Sequence, residues 1–105
     1  MFKPGRAIHP SNATGSAPDA ATTPAGIVVS FDAGTNRTRQ TTTEIIISNR
    51  ESVGGNFLEV SFDDGRRWFA INPASTFSFP VMCHYCSLRG YTGAVARYSV
   101  LGIIA

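Results

Sequence analysis

Charge is sparse in this sequence. Asp, Glu, Lys and Arg make up 15% of its 105 residues, against about 25% in an average soluble domain. The formal net charge of +2 is too small to mark a nucleic-acid-binding surface by itself. Cys and His number two each, and the single pair Cys83-x-x-Cys86 lacks the second pair that a tetrahedral zinc site needs. No apolar run approaches the ~18 residues of a membrane-spanning helix. Lys3 and Arg6 are not followed by an apolar stretch, so no secretory signal is expected. There is no Gly-rich phosphate loop leading into a helix, and no pattern marks a nucleophile elbow. From residue 27 onward the apolar residues do not recur at 3.6-residue spacing, which leaves β-structure.

What charge there is lies unevenly. Residues 1–34 balance Lys3 and Arg6 against Asp19 and Asp32, residues 35–64 hold three Arg and five acids, and residues 65–105 hold Arg66, Arg67, Arg89 and Arg97 with no acid. That asymmetry suits contact between identical copies or with an acidic partner.

Four of the six prolines (Pro4, Pro10, Pro18, Pro24) fall in residues 1–26, among Ala, Ser, Thr and Gly. With Met1, Phe2 and Ile8 as its large apolar residues, this segment cannot bury enough surface to offset its own ordering entropy. It is expected to be an extended N-terminal arm that contributes little to folding and makes assembly contacts, with Phe2, Lys3, Arg6 and Ile8 touching a partner.

Residues 27–105 are expected to form one antiparallel β-sandwich or small jelly roll of about seven strands. Ile27-Val28-Val29-Ser30-Phe31 is a β-branched run closed by Asp32-Ala33-Gly34. Ile45-Ile46-Ile47 predicts a strand covered on both sides. Phe57 to Phe62 alternates, with Leu58, Val60 and Phe62 on one face. Asp63-Asp64-Gly65 then predicts a hairpin, because Gly supplies a positive φ, with a return strand over Arg66 to Ile71. Phe77 and Phe79 stop at Pro80, as an edge strand does. Val81 to Arg89 and Ala94 to Ile104 complete the set.

Ser61-Phe62-Asp63-Asp64-Gly65-Arg66-Arg67-Trp68 fits S-x-D-x-G-x-x-W. It resembles the Asp-box of sialidases and related β-propellers, with Arg67 where Thr is usual. There the element is structural, so the resemblance assigns Ser61, Asp63, Gly65 and Trp68 to holding a hairpin and not to catalysis. Ser30-Phe31-Asp32-Ala33-Gly34 is a partial echo 31 residues upstream. Cys83-His84-Tyr85-Cys86 on a strand places its thiols on opposite faces, so two reduced thiols are expected, with no disulfide and no metal. No catalytic residue and no cofactor is expected.

Asn56 to Ala105 also resembles small virion proteins of tailed bacteriophages, through Val60-Ser61-Phe62-Asp63, Asn72-Pro73, Phe77 to Pro80, Leu88-Arg89-Gly90 and Tyr98 to Ala105. Within that group the capsid cement or decoration class fits best. The resemblance implies a non-enzymatic protein on the capsid exterior, made in the cytoplasm of a bacterial host. Its partners would be the major capsid protein and copies of itself in a homo-trimer, with no membrane and no direct nucleic-acid role. A phage neck or tail adaptor is the first alternative. A small glycan-binding β-sandwich using Phe69, Tyr85 or Tyr91 is the second.

Overall fold

The computed structural model describes residues 6–10, 12–33, 38–39 and 41–104. Over them the chain is all-β, with nine strands in two antiparallel sheets that pack face to face as a sandwich. The spine is its longest strand, β11 (Ala96–Ile104), in which every second residue is buried. Six residues of β11 pair with β6 (Glu44–Asn49), which pairs in turn with β9 (Thr76–Phe79). On the other side of β11 lie two short strands, β1 (Arg6–Ile8) against Gly102–Ile104 and β2 (Thr14–Ala17) against Ala96–Ser99. Together they make one interrupted edge strand, bridged where the Val100 N–H donates to the Ala13 carbonyl at 2.7 Å.

The second sheet runs β3 (Ile27–Ser30), β10 (Tyr85–Gly90), β7 (Leu58–Ser61), β8 (Phe69–Ile71). A separate two-residue ladder joins β4 (Asp32–Ala33) to β5 (Thr38–Arg39). Residues 34–37, which include the end of the upstream echo, lie outside the described residues.

Inward-facing Tyr98, Val100, Ile45 and Ile47 from one sheet meet Val29, Leu58, Val60, Cys86 and Leu88 from the other, all nearly or fully buried. Phe31 fills the space over Gly102, where a Cβ would stand 2.7 Å from its ring. Buried Asn49 ties the sheets together. Its amide donates to the carbonyls of Asn56 (3.0 Å) and Ile71 (2.9 Å), and its Oδ1 accepts the Glu51 N–H. A buried amide satisfied at both ends rigidifies a core instead of weakening it.

Several expectations are corrected by the structure. Residues 6–26 are not a free-standing arm. They supply β1 and β2, then cross to the second sheet, where Asp19 bridges Gly90 and Asp19 Oδ1 accepts the N–H groups of Ala21 and Gly93. The entropic expectation fails because β11 offers a ready row of backbone partners, and Gly15 is small enough to lie close on Tyr98. These strands raise the strand number above seven. Ile46 is not covered on both sides, since β6 buries Ile45 and Ile47 and turns Ile46 outward. The strand after Pro80 starts at Tyr85, because the Thr42 hydroxyl donates to the Val81 carbonyl and accepts the Cys83 N–H. The last strand starts at Ala96, not Ala94.

Candidate interaction surface

The hairpin residues converge on one side-chain node. Ser61 Oγ donates to Asp63 Oδ1 at 2.8 Å and accepts the Gly65 N–H at 2.8 Å. Asp63 Oδ1 also accepts the Arg67 N–H at 2.9 Å. Gly65 has φ +85°, and Trp68 returns its indole N–H to the Gly65 carbonyl at 3.0 Å. These donors hold the Asp63 carboxyl below the usual carboxylate range, the Arg67 N–H contributing most. The return strand is shorter than Arg66 to Ile71, since the turn closed by these side chains runs to Trp68 and β8 begins at Phe69.

The turn folds back over the outer face of the second sheet. Trp68 is half-buried there and not in the core, with the Arg89 guanidinium 3.9 Å from its ring centroid. Arg89 also pairs with Glu59 at 2.8 Å and donates to the Pro24 carbonyl. Tyr85 donates its hydroxyl to Asp64. This cover explains why Ser61 and Ser87, on the outer side of their strands, are nonetheless buried.

The carboxylates with described side chains are all committed to such contacts: Asp19 to two backbone N–H groups, Glu44 to Ser78, Glu51 to Arg97, Glu59 to Arg89, Asp63 to the turn and Asp64 to Tyr85 on β10. Among the described residues no group of three or more His, Cys, Asp or Glu converges to hold a metal. Cys86 is buried on β10, and burial pushes its thiol up to about 12. Cys83 is half-buried in the loop before that strand, its sulfur 3.7 Å from Thr42 Oγ1. The opposite-face argument therefore does not apply to Cys83, which is not on a strand.

Of the four residues expected to touch a partner, Phe2 and Lys3 lie outside the described residues. Arg6 is exposed on β1. Ile8 is in the core at 6% exposure, so it is a folding residue and not a contact residue.

Exposed aromatic residues cluster elsewhere, around the short edge strand β8, in addition to the exposed aliphatic residues Val28, Val53, Met82 and Val95. On one side of β8, Phe69 packs with Phe62 and Phe79 at centroid separations of 6.2 Å, and Phe79 meets Phe77 edge-on at 6.4 Å. On the other side, Ala70 shares a hollow of about 350 Å³ with Phe57 and Tyr91, whose rings lie 6.4 Å apart. Phe57, Phe69, Phe77 and Tyr91 are between 41% and 53% exposed, which is unusual for clustered aromatic residues on a monomer. The two sheet edges here are short and followed by Pro73 and Pro80. Proline and short length discourage strand addition, so this rim offers side chains and not a backbone ladder. Sequence reading offered Phe69, Tyr85 or Tyr91 only as the face of a glycan-binding alternative and did not single out Phe57 and Phe77, because strand alternation does not reveal where a sandwich is left open at its edge.

No family model matches the chain, and neither a curated protein nor a solved structure matches it.

Proposed function

We propose that this protein is a non-enzymatic virion structural protein of the capsid cement or decoration class, acting through protein–protein contact. The observation that carries the reading is the aromatic rim around β8: Phe57, Phe69, Phe77 and Tyr91, each substantially exposed and clustered on both sides of one edge strand. Aromatic side chains give much apolar area for little lost side-chain entropy, which is why they anchor interfaces. Commitment of the described carboxylates to structural contacts supports the non-enzymatic part. The phage-like pattern in residues 56–105 supports the virion part. The occupants of the rim would be the major capsid protein and neighbouring copies of this chain on the capsid exterior.

A glycan-binding reading fits less well. The hollow is lined by Phe57, Ala70 and Tyr91, with the Tyr91 hydroxyl as its one polar side-chain group, and a sugar needs several polar partners for its hydroxyls. Tyr85, a candidate platform, is tied to Asp64.

The test is the size of the particle that carries the protein. In a lysate of the producing cell it should sediment with heads, and the paired variant Phe57→Ser, Tyr91→Ser should sediment free while keeping its melting temperature. Sedimentation with tails would favour the neck or tail adaptor. Unchanged sedimentation of the variant would remove the rim from the reading.

A further inference from the structure

The outer face of the five-stranded sheet carries a groove whose chemistry changes along its length. Paired residues in a sheet share a face, so the register arranges this face in rows. At one end Ser16 is opposite Arg97, and Arg50 lies beside Arg97, its N–H donating to the Arg97 carbonyl at 2.9 Å. Next comes a row of hydroxyls, Thr14, Ser99, Ser48 and Thr76. Beyond it stand Leu101 and Ile46 with Ser78 at the edge, then Ile103 beside Glu44, whose carboxylate takes the Ser78 hydroxyl. Two hollows open along these rows and share Thr14. One, of about 260 Å³, is lined by Thr14, Gly15, Ser16, Arg50, Arg97 and Tyr98. The other, of about 330 Å³, has His9, Ile46, Ser48, Ser99 and Leu101 in its lining.

We propose that this groove binds an extended peptide segment of a partner protein that carries one acidic side chain and, four residues away, one large aliphatic side chain. Charge complementarity selects the acid. Glu51 takes Nε of Arg97 at 2.9 Å, whereas no described residue pairs with the Arg50 guanidinium, so this end of the groove is cationic. The aliphatic residue matches Leu101 and Ile46. The spacing follows from β11 itself, because Arg97 and Leu101 are four residues apart, about 13 Å along an extended chain. The hydroxyl row between them decides against a fatty acid, whose alkyl chain would desolvate the hydroxyls without returning a hydrogen bond. In an extended peptide the residue midway between the acidic and the aliphatic one faces the same way as both, and a Ser or Thr there offers both a donor and an acceptor. Ser48 and Thr76 already share one hydrogen bond at 2.8 Å, and each hydroxyl keeps capacity for another. The inference does not depend on the virion reading, since this face is separate from the aromatic rim and the ligand is defined by chemistry alone.

The experiment is an amide chemical-shift titration of the full chain with acetyl-Leu-Ser-Thr-Ser-Asp-amide and with its reversed-order counterpart. One of the two orders should shift the amides of Thr14, Ile46, Ser48, Arg50, Ser99 and Leu101 together. Replacing the peptide Asp by Asn, or making Arg50→Ala in the protein, should weaken binding about tenfold, the size of one charge-assisted hydrogen bond. Leu101→Ser should weaken it by a similar factor, and moving Asp two residues closer to Leu should also weaken it. Absence of shifts with both orders up to about 5 mM, the weak limit of specific binding, would overturn the proposal. So would tighter binding of decanoate than of either peptide at the same amides. Concentration-dependent shifts of those amides without peptide would also overturn it, by making the groove a contact between copies of this chain.

Discussion

The hairpin of residues 58–71 and the N-terminal stretch of residues 6–26 are held in opposite ways. In the hairpin, Ser61, Asp63, Gly65 and Trp68 satisfy one another within eight residues. In the N-terminal stretch Asp19 closes a local turn with Ala21, Thr22 and Thr23, but the two strands are held from a distance. β1 and β2 take their partners from β11, some 80 to 100 positions away in the chain, and Tyr98 reaches back to donate its hydroxyl to the Asn12 carbonyl at 2.9 Å. A turn built from its own side chains can be read from a short motif. A strand of Thr, Gly, Ser and Ala is a strand only because a longer one lies beside it.

The largest effect should come from taking that template relationship apart. A chain beginning at Pro18 loses both edge strands, removes Ile8 and Ala17 from the core, and leaves the Tyr98 hydroxyl without its acceptor. Burial of Ile8 alone is worth about 2 to 3 kcal/mol, and the lost ladder and hydroxyl contact bring the expected total to about 4 to 6 kcal/mol. Against a whole-domain stability of about 5 to 10 kcal/mol, the truncated chain should show no cooperative urea transition at 25 °C. A thermal midpoint within a few degrees of the full chain would mean that these strands merely rest on the fold.

Legibility follows the same division. The β3 run, the β7 alternation, the stop of β9 at Pro80 and the apolar last strand were visible because each is a local pattern of burial or a local breaker. The Asp-box spacing identified the side chains that close the turn. β1 and β2 were not visible, because low apolar content hid strands that draw their order from β11. The outward orientation of Ile46 was hidden for a related reason: three isoleucines look alike in sequence, and only the presence of a second sheet on one side alone makes the middle one face outward. The aromatic rim was half visible. Which aromatic residues end at the open edge depends on how far the two sheets overlap, a tertiary property.

In the hairpin, the largest single-residue effect is expected at Ser61. Its buried hydroxyl serves Asp63 and the Gly65 N–H at once, and Ser61→Ala leaves that N–H without a partner. A loss of about 2 to 3 kcal/mol in urea unfolding is expected. Ser61→Thr keeps a hydroxyl and should recover part of it. Equal losses for both variants would mean that packing, and not the hydrogen-bond node, sets the value of the site.

Two glycines sharpen the contrast further. At Gly65 the obstacle is conformation, since φ is +85° and a Cβ would meet Trp68 only at 3.4 Å. At Gly15 the obstacle is space, since φ is not positive and a Cβ would stand 3.2 Å from the Tyr98 hydroxyl. Val at either position should cost about 1 to 2 kcal/mol. Asn, which tolerates positive φ, should recover much of the loss at residue 65 and none at residue 15. Recovery at both positions, measured as urea midpoints, would erase the distinction between local and templated order.

The smallest effect is a difference in how the two regions respond to acid. The Arg67 N–H and the Ser61 hydroxyl lower the pKa of Asp63, so the folded chain binds a proton there less readily than the unfolded chain does. The stabilisation from that carboxylate is therefore complete above the unfolded value, near pH 4, and disappears as the pH falls through the lower folded value. The ladder between β11 and the two N-terminal strands consists of backbone hydrogen bonds, and burial raises the pKa of Tyr98 away from this range. Glu51 is also held low by its contacts with Arg97, but it anchors the loop after β6 and not β1 or β2. Lowering the pH from 5 towards 2 should thus speed hydrogen exchange at the Gly65 and Arg67 amides before it does so at the Val100 amide, after correction for intrinsic rates. Asp63→Asn should remove the early loss at Gly65 and Arg67, because those amides then no longer depend on a titrating group. Loss of protection at Val100 and Arg67 in parallel, in both proteins, would show that the hairpin opens only with the whole sandwich and that its local network has no separate equilibrium.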